Sequence, residues 1–307
     1  MSGPEPMRGA LAPVITPFTE GGAQPDADRL IDHCRWLIEG DVGLAVFGTN
    51  SEGTSLSVSE KEDLLDALVG AGLPPARMMP GTGHCAVTDT IRITRKAVGL
   101  GCGGVLMLPP FYYPTVSDEG LFRFVSSVID GVGDDRLRIY LYHIPPMAKV
   151  GWSLELIERL IDAYPETVVG LKDSSGDWDH TQELLRRFPG WGTFCGNEHN
   201  LLEAMGLGAA GCISATCNVN GAAIARLIRT AEEPEAEALQ EWIRVIRRII
   251  EGGAMIPALK SLIARHRADP AWRTLRPPLV ELSEEDETAL YDALDAVDFE
   301  MHVLECA

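Results

Sequence analysis

The chain predicts an α/β fold, a (β/α)8 TIM barrel that carries a C-terminal helical extension. Two observations lead there. Short apolar runs alternate with segments of helical period eight times, at roughly 20- to 35-residue intervals, as parallel βαβ units require. After Asn218 the apolar runs stop, and residues 221–250, 254–267 and 284–304 read as helices with no strand between them. Eight such beats in about 200 residues is the count of a closed barrel. An open doubly wound sheet usually has fewer strands and a Gly-x-Gly-x-x-Gly turn after the first one, and no such turn follows the first strand here. The expected division is 1–232 for the barrel and 233–307 for a helical extension packed on it, whose later helices are linked through Pro270 and Pro277-Pro278.

The elements follow in order. Ala10 to Phe18 is a short apolar strand ended by proline. Asp26 to Glu39 places Leu30, Ile31, Cys34, Leu37 and Ile38 on one helical face, with Gly40 as a stop. Val42 to Phe47 is a second strand, running into the polar loop Gly48-Thr49-Asn50-Ser51-Glu52-Gly53. Ser59 with Glu62 three residues later predicts a capping box opening the next helix. The beat then repeats: strand 77–81 and helix 86–98; strand 104–108 and helix 117–130; strand 137–142 and helix 153–163; strand 168–172 and helix 177–188; strand 192–195 and helix 199–207; strand 210–214.

Composition sets broad bounds. The 307 residues are 46% hydrophobic and 23% charged, which is ordinary for a globular protein. Twenty-six basic against 45 acidic side chains leave a formal net charge of −19. That balance disfavours nucleic acid and anionic membrane as partners and leaves the sign of a small-molecule site open. The cysteines, Cys34, Cys85, Cys102, Cys195, Cys212, Cys217 and Cys306, are odd in number and form no Cys-x-x-Cys pair. They read as buried free thiols in a reducing compartment. No basic, apolar leader is recognisable at the start and no run reaches membrane-span length, so a cytoplasmic location is expected.

Chemistry concentrates at Val168-Val169-Gly170-Leu171-Lys172-Asp173-Ser174-Ser175-Gly176, a buried strand that ends on a lysine and breaks into a polar loop. In a parallel barrel the carboxyl ends of the strands form the working face. An exposed lysine, with a pKa of about 10.4, is a poor nucleophile at neutral pH. Desolvation disfavours the ammonium, and the free amine can then attack a carbonyl to form an imine. A strand-end lysine can also simply run out to water or pair with Asp173. The other strand ends supply the context: Thr16, Thr49, Asn50, Tyr112, Tyr142, Gly196, Ile213 and Ser214 gather round the same mouth. A lysine, phenols and hydroxyls suit imine chemistry, in which protons must be moved onto and off oxygen.

These motifs resemble the dihydrodipicolinate synthase / N-acetylneuraminate lyase family of class I, Schiff-base-forming aldolases. The resemblance rests on Gly48-Thr49-Asn50-Ser51-Glu52, Pro110-Phe111-Tyr112, Leu141-Tyr142-His143-Ile144-Pro145, Gly170 to Gly176, Gly196-Asn197-Glu198 and Gly211-Cys212-Ile213-Ser214, in order on successive strand ends. It spans nearly the whole chain from about Gly9. It implies that Lys172 forms an imine with pyruvate or a related 2-oxo acid, with no cofactor. Tyr142 would be the proton-transfer phenol, and Thr49 would link it to Tyr112 reaching in from a neighbouring subunit. Substrate would be bound by Thr49 and Asn50, with Gly196, Ile213 and Met147 lining the pocket. The assembly implied is a homotetramer built as a dimer of dimers.

Three positions depart from the family pattern. Asn50 and Ser51 replace a threonine and a glycine in the carboxylate-binding loop. Met147 stands where 4-hydroxy-tetrahydrodipicolinate synthases carry an arginine, and methionine cannot make its bidentate ion pair. Lys149, two residues on, could act only as a point charge. The resemblance therefore implies a pyruvate-dependent aldolase or a dehydratase of 2-oxo sugar acids ahead of that synthase. Two other classes stand beside it. One is a metal enzyme using His84, His143, Glu198 and His199, which lack metal-ligand spacing. The other is a catalytically silent barrel that only binds a 2-oxo acid.

Overall fold

The computed structural model describes residues 6–302. Seven parallel strands form one curled sheet: β1 (Gly9–Ala12), β2 (Gly43–Leu44), β3 (Val105–Met107), β4 (Ile139–His143), β5 (Val168–Asp173), β6 (Gly192–Cys195) and β7 (Gly211–Ile213). Their spatial order is β2-β1-β7-β6-β5-β4-β3. The expected strand 77–81 is present only as two isolated parallel bridges, Leu44 with Met78 and Gly81 with Leu106. Pro80 has no N–H to give the ladder, so regular pairing breaks there. The bridges still join the two edges of the sheet. Met79 N donates to Leu44 O at 2.8 Å on one side, and Leu106 N donates to Pro80 O at 2.9 Å on the other.

Alternation along the strands divides the core in two. Ile139 and Leu141 of β4 belong to the large cluster between sheet and helices, whereas Tyr140 and Tyr142 belong to a smaller one with Leu11, Met79, Phe194 and Ile213. The second cluster fills the inside of the curl. Tyr140 lies across it, fully buried, its hydroxyl accepting from Met7 N at 2.7 Å. Its ring fits because the neighbouring strand positions are glycine: a Cβ at Gly170 or Gly104 would come within 2.6 Å of it.

Helices Ala27–Glu39, Val58–Gly70, Val87–Gly99, Asp118–Val132, Leu154–Ala163, Trp178–Arg187, Leu201–Gly206 and Cys217–Arg229 alternate with the strands. Four of the eight start at a residue legible as a cap: Asp26, Ser117, Ser153 and Asp177 each accept a first-turn backbone N–H. The capping box expected at Ser59 and Glu62 is instead formed by Ser57 and Glu60, one position before Val58. Helices Ala236–Glu251, Met255–Arg267 and Glu284–Asp295 follow without a strand. The run 221–250 is not continuous, because Pro234 falls in the break between its two helices. The last helix stops at Asp295, short of 304.

The cysteines divide. Cys34, Cys195, Cys212 and Cys217 are buried free thiols, and burial pushes Cys195 and Cys217 up to about 12. Cys85 is exposed and Cys102 partly so, against expectation, because both lie in connections rather than strands. Cys306 and the first five residues lie outside the described residues. Among the described residues no helix is long and apolar enough to cross a membrane.

One core group makes stability depend on pH. His33 is fully buried, stacked on Trp36 and edge-on to Trp272. Burial, reinforced by the charge of Arg267, pulls its imidazole down to about 3. The unfolded chain takes up this proton below about pH 6.5, and the folded chain refuses it until about 3, so stability is lost as pH falls through that window. Half-buried His84 and buried His143, each pulled down to about 4, act in the same direction. The melting temperature is expected to fall on acidification from about pH 6.5, and His33→Gln to make that fall shallower. An unchanged slope in thermal melts would show that His33 does not carry the effect.

Candidate active site

Register places the central pair. β4 and β5 run side by side with Tyr142 opposite Lys172, so two inward-facing strand-end side chains meet at the barrel mouth. Lys172 is 2% exposed. Its Nζ donates to the Tyr142 hydroxyl across 3.4 Å and lies 4.4 Å from the centre of that ring. The same hydroxyl shares a 3.2 Å hydrogen bond with Thr49 Oγ1. A continuous polar line therefore runs from the amine through the phenol to the threonine. The β4 end is held from outside by Trp152, whose indole N–H donates to Tyr142 O at 3.1 Å. Ser174 N donates to His143 O at 2.7 Å and ties the two strand ends together.

Thr49 arrives on a tightly wound loop. Phe47 and Glu52 both take left-handed backbone conformations, with φ of 64° and 54°. Each costs about 1 kcal/mol or more for a residue with a Cβ, so surrounding contacts must hold the loop. Ser51 Oγ accepts from Gly48 N, and Thr16 Oγ1 donates to Ser51 O at 2.7 Å. Gly53 has no alternative, because a Cβ there would sit 2.0 Å from Phe47 O.

Of the expected site residues, Lys172, Tyr142 and Thr49 are in direct contact. Asn50 is half-buried next to Thr49 on the loop. Ile213 is buried in the inner cluster with Tyr142. Gly196 closes against the β5 end, where a Cβ would meet Ser174 Oγ at 2.2 Å. Tyr112 is different: it is 74% exposed and packs edge-on against Tyr113, not in the chain's own site. Met147 is 65% exposed on the short helix Pro145–Ala148, and the Lys149 ammonium is turned onto Pro146 O at 2.8 Å.

Several polar contacts near the mouth escaped sequence reading. Lys61, on the helix Val58–Gly70, is buried and sits 3.0 Å from His84 Nε2. It lines one cavity with Thr49, Thr54 and Tyr142, and burial pulls it down to about 8. Glu198 is fully buried and accepts hydrogen bonds from the hydroxyls of Ser214 and Thr216. Arg247, from helix Ala236–Glu251, donates to Ser214 Oγ at 3.1 Å and approaches Glu198 to 3.7 Å. Nothing local in the sequence pairs a loop glutamate with an arginine on a later helix.

Among the described residues, only His143 of the four considered as metal ligands falls in a cluster of ligand-type side chains. His84 lies on Lys61 and His199 on Glu251. The group whose ligand atoms lie within 4.8 Å of one another is His143, Asp173 and His180. It faces the helix layer behind the site, and its atoms already have partners. His143 Nδ1 accepts from Trp152 N, while Asp173 accepts from Ser175 N and the Thr181 hydroxyl. Burial pushes the Asp173 carboxyl up, but its bonds from His180, Ser175 and Thr181 outweigh this and leave it lowered; the same contact holds His180 above its ordinary value.

This geometry has known counterparts. Residues 6–297 match the Dihydrodipicolinate synthetase family. The chain belongs to that family. An uncharacterized DapA-like lyase of Chloroflexus aurantiacus is 31% identical over 296 residues, covering 94% of this chain and 97% of its own. A 4-hydroxy-tetrahydrodipicolinate synthase of Sorangium cellulosum is 36% identical over 216 residues, 70% of each chain. The crystal structure of dihydrodipicolinate synthase from Agrobacterium tumefaciens superposes with a TM-score of 0.87 at 31% identity, covering 94% of this chain and 99% of that one. The curled parallel sheet is thus the barrel-like fold of the family, and its members are lyases.

Proposed function

We propose that the protein is a Schiff-base-forming lyase that makes or cleaves a carbon–carbon bond in a 2-oxo acid, with pyruvate or a close relative bound to Lys172. The observation that carries this is the unbroken line Lys172–Tyr142–Thr49 at the buried end of β5. In the proposed reaction the Lys172 nitrogen attacks C2 of the 2-oxo acid and forms a C–N bond. The carbonyl oxygen takes up protons through the Tyr142 hydroxyl and leaves as water. In the cleavage direction the protonated imine of a 4-hydroxy-2-oxo acid draws in the electrons of the C3–C4 bond while Tyr142, in contact with Thr49, accepts the proton of the C4 hydroxyl. The aldehyde leaves, the enamine takes a proton at C3, and water hydrolyses the imine to free the 2-oxo acid and Lys172. No separate cofactor is required, because the imine itself is the electron sink.

The substrate carboxylate is assigned to the Thr49–Asn50 loop, with Gly196 and Ile213 shaping the floor. Met147 supports a distal substrate group without a second carboxylate, and so an aldolase, or a dehydratase of 2-oxo sugar acids, ahead of 4-hydroxy-tetrahydrodipicolinate synthase. The outward placement of Tyr112 and Tyr113 fits a contact with a second subunit, and the homotetramer, the cytoplasmic location and the small-molecule substrate are proposed from the family resemblance. Borohydride reduction in the presence of pyruvate tests the proposal. A reduced adduct on the Lys172 peptide is expected. Its absence with pyruvate and with longer 2-oxo acids would leave a non-catalytic binding barrel.

A further inference from the structure

The loop that carries Thr49 and Asn50 is anchored from the far end of the chain. Glu52 and Lys260 form an ion pair of 2.5 Å with both side chains wholly buried. Lys260 belongs to helix Met255–Arg267, beyond the last strand. Its ammonium also donates to Thr274 O at 2.7 Å and lies 4.5 Å from the centre of the Phe18 ring. The second oxygen of Glu52 accepts from Arg276 N at 3.1 Å. The Arg276 guanidinium then reaches Ser55 O at 2.8 Å, just past the loop, and Gly22 O at 2.9 Å, in the connection after β1.

Buried ion pairs are poor stabilisers, since desolvation offsets most of their attraction; their best-attested use is to specify one arrangement. Here the arrangement specified is that of a loop with left-handed backbone at Phe47 and Glu52, which left alone would relax. We infer that Lys260 is a positioning residue. Through Glu52 it fixes the Thr49–Asn50 loop at the barrel mouth, so the helical segment after the barrel takes part in binding the 2-oxo acid's carboxylate. This rests on the function proposed above.

The test is the concentration dependence of pyruvate trapping on Lys172 in the full chain, for wild type and the double variant Glu52→Gln/Lys260→Met. A neutral pair of similar shape should keep the melting temperature. Half-saturating pyruvate should rise about tenfold, because the loop loses its register, while trapping at saturation stays within about twofold. A folded double variant with unchanged half-saturation overturns the inference and leaves the function standing. No adduct in the wild type overturns both. Hydrogen exchange on the wild type covers the case in which the variant does not fold. Pyruvate should slow exchange at the Arg276 amide as well as within 48–53, and slowing confined to 48–53 overturns the inference.

Discussion

Lys172→Ala abolishes imine formation and the chemistry that follows from it, by about a million-fold, the scale found when a covalent nucleophile is removed. The readout needs no knowledge of the second substrate. An imine of pyruvate loses and regains methyl protons as its enamine forms, so exchange of those protons into deuterated water, followed by NMR, reports the first half of the reaction. Lys61 will not substitute, although it too is a buried lysine at the mouth, because its ammonium is held on His84. The fold should survive. The change opens a cavity in the inner cluster but also removes a buried cation, and the two effects oppose each other. Proton exchange persisting in a folded Lys172→Ala variant would end the imine mechanism.

Tyr142→Phe separates packing from proton transfer. The ring stays beneath the Lys172 ammonium, and only the hydroxyl that joins Lys172 to Thr49 is lost. Loss of a positioned acid–base group slows a step by about a hundred- to ten-thousand-fold. The exchange rate at saturating pyruvate should fall by that order while half-saturating pyruvate barely moves, because the carboxylate is assigned to the Thr49–Asn50 loop, whose own anchors the variant leaves in place. Equal losses in both, or in neither, would assign Tyr142 to packing alone.

The parts of this site that were legible in the sequence share one property: their position follows from local pattern. Lys172 ends an apolar strand and is followed by a polar break, so its place on the mouth can be read without knowing its neighbours. Tyr142 and Thr49 follow by the same rule. What could not be read depends on distance or on competition. Ser57 and Ser59 each have a glutamate three residues on, and only the path of the preceding loop decides that Ser57 caps the helix. Pro80 sits in an apolar run that looks like a strand, yet it can make only isolated bridges. Lys260 and Arg276 look like ordinary surface charges until the fold brings them onto Glu52. Tyr112 reads as a site residue by its motif yet is exposed in the single chain, because a motif fixes a strand end and not the direction in which a loop side chain turns.

Tyr140 gives the barrel a closed bottom. With its ring wedged against glycine-bearing strands and its hydroxyl tied to Met7, nothing the size of a substrate passes below the Tyr142–Lys172 layer. The interior is a cup and not a tube. In the proposed reaction everything that enters or leaves, the water released with the imine included, would share one doorway. The 2-oxo acid would then have to reach the lysine before a carbonyl partner seated above it. Ordered traffic at this site thus needs no moving lid, only a floor.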